Sequence, residues 1–65
     1  MSTEDCTEMF RLLDEMYDRA SVFRWLMYPR VEFGGHAAGT MVAAGYGGAV
    51  LSQARREHGL WKSSI

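Results

Sequence analysis

The chain has 65 residues, a single cysteine and a formal net charge of −1. One cysteine excludes an internal disulfide, and Cys6 with only His36 and His58 for company is too sparse a set for a structural zinc site. The near-neutral balance, with no basic patch, argues against nucleic-acid binding. A chain this short has little core of its own, so a partner or a membrane is expected to supply burial.

The opening residues Met1 to Asp5 are polar and acidic. They lack the basic start and apolar run of a secretory leader and the arginines of a mitochondrial presequence. The chain is therefore expected to stay where it is made or to be imported without a cleaved signal. Met9, Leu12, Leu13, Met16, Ala20, Phe23 and Met27 recur at helical spacing. Residues 1–28 are thus expected to form one amphipathic helix lying on an apolar surface. Ser2 or Thr3 is placed to cap it, and Glu4, Asp5 and Glu8 suit its positive end. Pro29 should end it, because proline pushes Tyr28 out of helical angles and lacks the next donor. Cys6 has no basic neighbour to activate it as a nucleophile. The five methionines fall at helical positions and read as adaptable packing.

Residues 29–32 form a connector. All of the chain's 8 acidic residues except Glu57 lie at or before Glu32, and no charged residue separates Glu32 from Arg55. As a helix, Phe33 to Ala54 would span roughly 33 Å, close to the hydrocarbon thickness of a bilayer. This segment also holds every one of the 7 glycines except Gly59. Each glycine would cost a water-exposed helix about 1 kcal/mol against alanine. In a membrane the backbone must bond internally, and small residues let a second helix approach closely. Gly35, Gly39, Ala43 and Gly47 recur every four residues; Gly34 pairs with Ala38, and Gly45 with Ala49. The expectation is an all-α chain: an N-terminal amphipathic helix, a break at Pro29, and a single transmembrane helix over 33–54 packed against neighbours. The alternative is a glycine-rich loop or a hairpin turning near Gly45 to Gly48.

Residues 55–65 read as a polar tail. Arg55 and Arg56 mark the return to water, Gly59 suits a helix C-cap, and Leu60 precedes Trp61 and Lys62. Trp25, Tyr28 and Arg30 on one side, and Arg55, Arg56, Trp61 and Lys62 on the other, are the expected interface anchors, with lipid contacts implied. No catalytic, cofactor-binding or metal constellation is present in the pattern. Gly45-Tyr46-Gly47-Gly48 lacks the lysine of a phosphate loop. His36, an ionisable group inside the expected span, is either a haem, quinone or proton-relay candidate or a hydrogen-bonding group at the membrane edge.

Two runs resemble one family. Leu12 to Phe23 (Leu-Leu-Asp-Glu-Met-Tyr-Asp-Arg-Ala-Ser-Val-Phe) is similar to the N-terminal signature of the subunit 9 family of mitochondrial ubiquinol–cytochrome c reductase, respiratory complex III. Glu57 to Lys62 (Glu-His-Gly-Leu-Trp-Lys) resembles that family's C-terminal Gly-Lys-Leu-Trp-Lys signature, without the lysine between Gly59 and Leu60. The resemblance implies a non-catalytic supernumerary subunit that braces other subunits of a large inner-membrane complex, with its N-terminus on the matrix side. The haems and iron–sulfur cluster would belong to other subunits. An accessory subunit of complex I, cytochrome oxidase or ATP synthase fits the small-residue ridge equally well. Two further readings are a self-associating membrane-shaping protein, which crosslinks into ladders of identical chains, and a helical partner-binding peptide outside the membrane, which alkaline carbonate would extract.

Overall fold

The computed structural model describes residues 1–65. Four helices and one very small hairpin follow in chain order. They are α1 (Thr3–Met16), α2 (Arg19–Met27), β1 (Pro29–Arg30), a 3-10 turn (Val31–Phe33), β2 (His36–Ala37), α3 (Ala38–Ala43) and α4 (Gly47–Ser63).

The single helix expected over residues 1–28 is two helices. The Ser2 hydroxyl accepts a hydrogen bond from the Asp5 amide at 3.1 Å and starts α1. Tyr17 then turns extended (φ −133°, ψ 156°), and the Asp18 carboxylate accepts the Ser21 amide at 2.7 Å. Asp18 is thus an N-cap in the middle of the expected helix, and its side chain restarts the backbone in a new direction. α2 ends at Met27, with Tyr28 extended before Pro29.

The transmembrane helix expected over 33–54 is not there, and neither is the single-pass topology built on it. No helix is long and apolar enough to cross a membrane. The segment instead holds the end of the 3-10 turn, β2, α3, a tight turn and the start of α4. Glycine causes both interruptions. After α3 the Tyr46 amide reaches back to the Met41 carbonyl at 2.8 Å and the Gly45 amide to Val42 at 3.1 Å. That pair of bonds is a Schellman cap, and it requires the left-handed residue supplied by Gly45 (φ 93°). The same pair of reach-back bonds closes the hairpin: Gly35 to Arg30 at 2.9 Å and Gly34 to Val31 at 3.1 Å. β1 and β2 are antiparallel, pairing Pro29 with Ala37 and Arg30 with His36.

Residues 55–65, expected as a tail, continue α4 to Ser63, and Gly59 lies inside that helix instead of capping it. α1 and α4 make the most extensive contact between elements. They run in the same direction: Gly47 lies against Met1, Arg55 grips Glu8 and His58 meets Glu15. The core between them is Met9, Leu12 and Leu13 from α1 and Val50, Leu51 and Ala54 from α4. Val22 and Trp25 of α2, Phe33 and Ala38 complete it. Trp25 meets Phe33 edge-on, with ring centroids 6.3 Å apart. Only 11 residues are buried, a small core for a folded chain.

Candidate functional site

The restart at Asp18 decides which side of α2 faces out. Residues at 100° per step place Val22 and Trp25 inward, and both are buried. The opposite side then carries Ala20, Phe23, Arg24 and Met27. A continuous helix would have buried Ala20, Phe23 and Met27 beside Met9 and Leu12. Here Phe23 is 64% and Met27 55% exposed, and Tyr28, just past the helix end, is 63% exposed. Charge on this surface is positive. α2 contains Arg19 and Arg24 and no acidic residue. Arg19 approaches Asp14 only at 3.6 Å, and Arg24 forms no ion pair.

Beside this face lies a shallow cleft of about 350 Å³. It is lined by Tyr17, by Ser21, Arg24 and Trp25 of α2, and by Tyr28, Pro29 and Arg30. No carboxylate lines it. A carboxylate holds it together from behind. Glu57 on α4 accepts from the Trp25 indole at 2.9 Å, Arg30 Nη2 at 2.8 Å, Gln53 at 2.8 Å and, at the long limit of 3.4 Å, the Tyr17 hydroxyl. Arg30 also donates to Glu32 at 3.1 Å and stands 4.5 Å from the Trp25 ring centroid. Burial, together with the Glu57 charge, raises the Tyr17 pKa, so this phenol stays a hydrogen-bond donor. The cleft therefore offers rings and donors, which is equipment for binding.

The expected interface anchors do not flank a membrane-spanning helix. Trp25 belongs to the core and lines the cleft, Tyr28 also lines the cleft, and Arg30 donates to Glu57. Arg55 is bidentate to Glu8 at 2.6 and 2.8 Å, a bond that raises the arginine's pKa and lowers the carboxyl's. Arg56 and Lys62 are exposed, and Trp61 tilts against His58 with centroids 5.5 Å apart. The four-residue ridge is dispersed over separate elements. Gly34 and Gly35 turn the hairpin, Gly39 and Ala43 belong to α3, and Gly47 and Ala49 to α4. Close packing by small residues does occur, at particular points. Ala38 is fully buried, a β-carbon at Gly39 would come within 3.2 Å of the Leu26 carbonyl, and one at Gly47 within 2.6 Å of Met1 Cβ. Ala43 and Ala49 are exposed.

His36 sits exposed on β2, outside any span, and Cys6 is half-buried on α1. No three His, Cys, Asp or Glu side chains gather where they could hold a metal ion. Sequence reasoning missed Glu57 as a hub and Phe23, Arg24 and Met27 as a surface. The available signal was Asp18 with Ser21 three residues on, an N-cap spacing inside an otherwise helical pattern. No protein family, curated protein or solved structure matches the chain.

Proposed function

We propose that this chain is a non-catalytic binding module that docks a partner protein through the outer face of α2. The observation that carries the reading is the exposure of Phe23 and Met27, one turn apart on a helix whose charged groups are both arginines. Bulky apolar side chains at i and i+4 are the anchors by which a helix seats in a groove. Arg19 and Arg24 beside them select a groove rimmed by carboxylates. A second copy of the chain fits less well, because a two-fold contact through this face would set arginine against arginine. The small core gives the binding a further use, since a partner that covers α2 stabilises the fold by mass action. Of the expectation carried by the terminal runs, this reading keeps the general part: a non-catalytic chain that braces its neighbours.

The test places a photo-crosslinking amino acid at Phe23 in the cells that make the protein. The reading expects one dominant heteromeric product, mapped to an acidic-rimmed apolar groove and lost when Arg24 is changed to Glu. Products of identical chains only, or a heteromeric product indifferent to Arg24→Glu, would overturn it.

A further inference from the structure

The cleft next to α2 has a chemistry of its own. Its surface is three aromatic residues and a proline, with two guanidinium groups and no carboxylate. Arg30 is committed to Glu32 and Glu57, whereas Arg24 makes no salt bridge and has only the Asp18 carboxylate at longer range. The Tyr28 and Ser21 hydroxyls make no side-chain hydrogen bond, while the Trp25 indole N–H is already taken by Glu57. The cleft lining carries no negative charge, and its Ser21 and Tyr28 hydroxyls are free to donate as well as to accept. A ligand that supplies a carboxylate and carbonyl acceptors, and lies flat enough for an open cleft, is an extended peptide. Its carbonyls carry no internal hydrogen bonds in the polyproline conformation and are free to meet Tyr28 and Ser21. Proline rings pack on tyrosine and tryptophan faces at little entropic cost.

We infer that this cleft binds an extended, proline-containing peptide segment with an acidic side chain, the carboxylate pairing with Arg24 and the proline seated between Tyr17 and Tyr28. Pro29 and Trp25 line that seat as well. The Glu57 network keeps it open by fixing Trp25, Arg30 and Tyr17 from the side away from the ligand. The inference rests on the reading of the chain as a binding module and names the element of the partner that this cleft takes. α2's outer face and the cleft share Arg24, so one partner can occupy both, with a groove on α2 and an extended segment beside it.

The test is a titration of the full chain followed by NMR at the Trp25 indole and the Tyr17 and Tyr28 rings. Four probes are used: acetyl-Ala-Pro-Pro-Glu-amide, its lysine counterpart acetyl-Ala-Pro-Pro-Lys-amide, the proline-free acetyl-Ala-Ala-Ala-Glu-amide, and inorganic phosphate. The first should shift all three side chains saturably. The lysine and proline-free peptides should each bind about threefold to fivefold more weakly, the scale of one exposed ion pair or one ring contact. Arg24→Glu, a change at an exposed position that leaves the core intact, should weaken the first peptide by a similar factor and make the lysine peptide the tighter of the two. No shift in the cleft, equal binding of the glutamate and lysine peptides, or phosphate binding as tightly as the peptide would each overturn the inference. If the peptides fail while the crosslink from position 23 persists, the binding-module reading stands and the assignment of the cleft falls. If the crosslink fails while the peptide binds, the outer face of α2 is the part in error.

Discussion

Glu57 is the side chain on which the fold and the cleft both depend, and its removal gives a calculable loss. In Glu57→Ala the Trp25 indole, on a residue only 5% exposed, loses its acceptor. An unsatisfied buried N–H costs about 1–3 kcal/mol. Arg30 keeps Glu32 but loses its 2.8 Å bond to Glu57. Both partners of that pair are partly solvent-exposed, so screening holds its loss to about 1 kcal/mol. The sum is about 2–4 kcal/mol, comparable with the whole stability of a domain this small. Glu57→Gln retains one carbonyl oxygen for the indole and should lose about 1–2 kcal/mol. Each 1 kcal/mol moves the thermal midpoint of such a domain by about 4–8 °C. Urea unfolding at low temperature, followed by tryptophan fluorescence and near-ultraviolet circular dichroism, reads both variants against the parent. Glu57→Ala within about 0.5 kcal/mol of the parent at unchanged urea dependence would refute the reasoning. The contacts would then be surface decoration and the cleft would need another support.

Three other perturbations follow from the same structure. Asp18→Ala removes the cap that restarts α2 and should cost about 0.5–2 kcal/mol in urea unfolding, with Asp18→Asn close to the parent. Gly45→Ala forces a β-carbon into a left-handed position, φ 93°, and should cost about 1–2 kcal/mol by the same assay. Lowering the pH should destabilise the fold, because Glu8, Glu15 and Asp18 all ionise more readily when folded. Their causes are the Arg55 bond to Glu8, the His58 bond to Glu15 and the Ser21 amide on Asp18. Depressed carboxyl values make the unfolded chain the better proton binder in acid. The stability these groups carry is therefore complete above the ordinary values, 4.5 for glutamate and 3.8 for aspartate, and is lost as the pH falls through the folded ones. Thermal midpoints measured down the acid range should show that loss, and Glu8→Gln should reduce its size. A parent chain whose midpoint held constant through the acid range would contradict the assignment.

The sequence was readable where local chemistry acted alone and misleading where two segments had to share an axis. The stripe from Met9 to Met16 is the core side of α1, and Ser2 caps it, because neither depends on anything distant. The same stripe carried on through Ala20, Phe23 and Met27 loses its meaning at Asp18. Two extended residues reset the phase, and Val22 with Trp25 face the core instead. The charge gap from Glu32 to Arg55 reads as a span because its length and neutrality both fit a bilayer. Gly34 and Gly45 decide against that reading: each takes a left-handed angle at the C-terminal end of a short helical turn, an act that a sequence shows only as a glycine. Glu57 could not be assigned its role, since its partners lie 27, 32 and 40 positions away, apart from Gln53 one turn back. The cleft was partly legible, in that Trp25, Tyr28 and Arg30 stood out as an aromatic and basic cluster. They read as lipid-interface anchors because nothing local distinguishes an aromatic anchor in a headgroup layer from an aromatic residue lining a cleft.

The central claim is that the outer face of α2 is kept apolar for a partner and not for the fold. Phe23→Ser combined with Met27→Ser tests it, with two readings on one protein. The isolated variant should unfold within about 0.5 kcal/mol of the parent, as exposed positions do. In the cells that make it, the parent chain should co-fractionate with a larger assembly and the variant should not. A variant that unfolds more than about 1 kcal/mol early would show that the face serves the fold, and one that still co-fractionates would show that partners bind elsewhere.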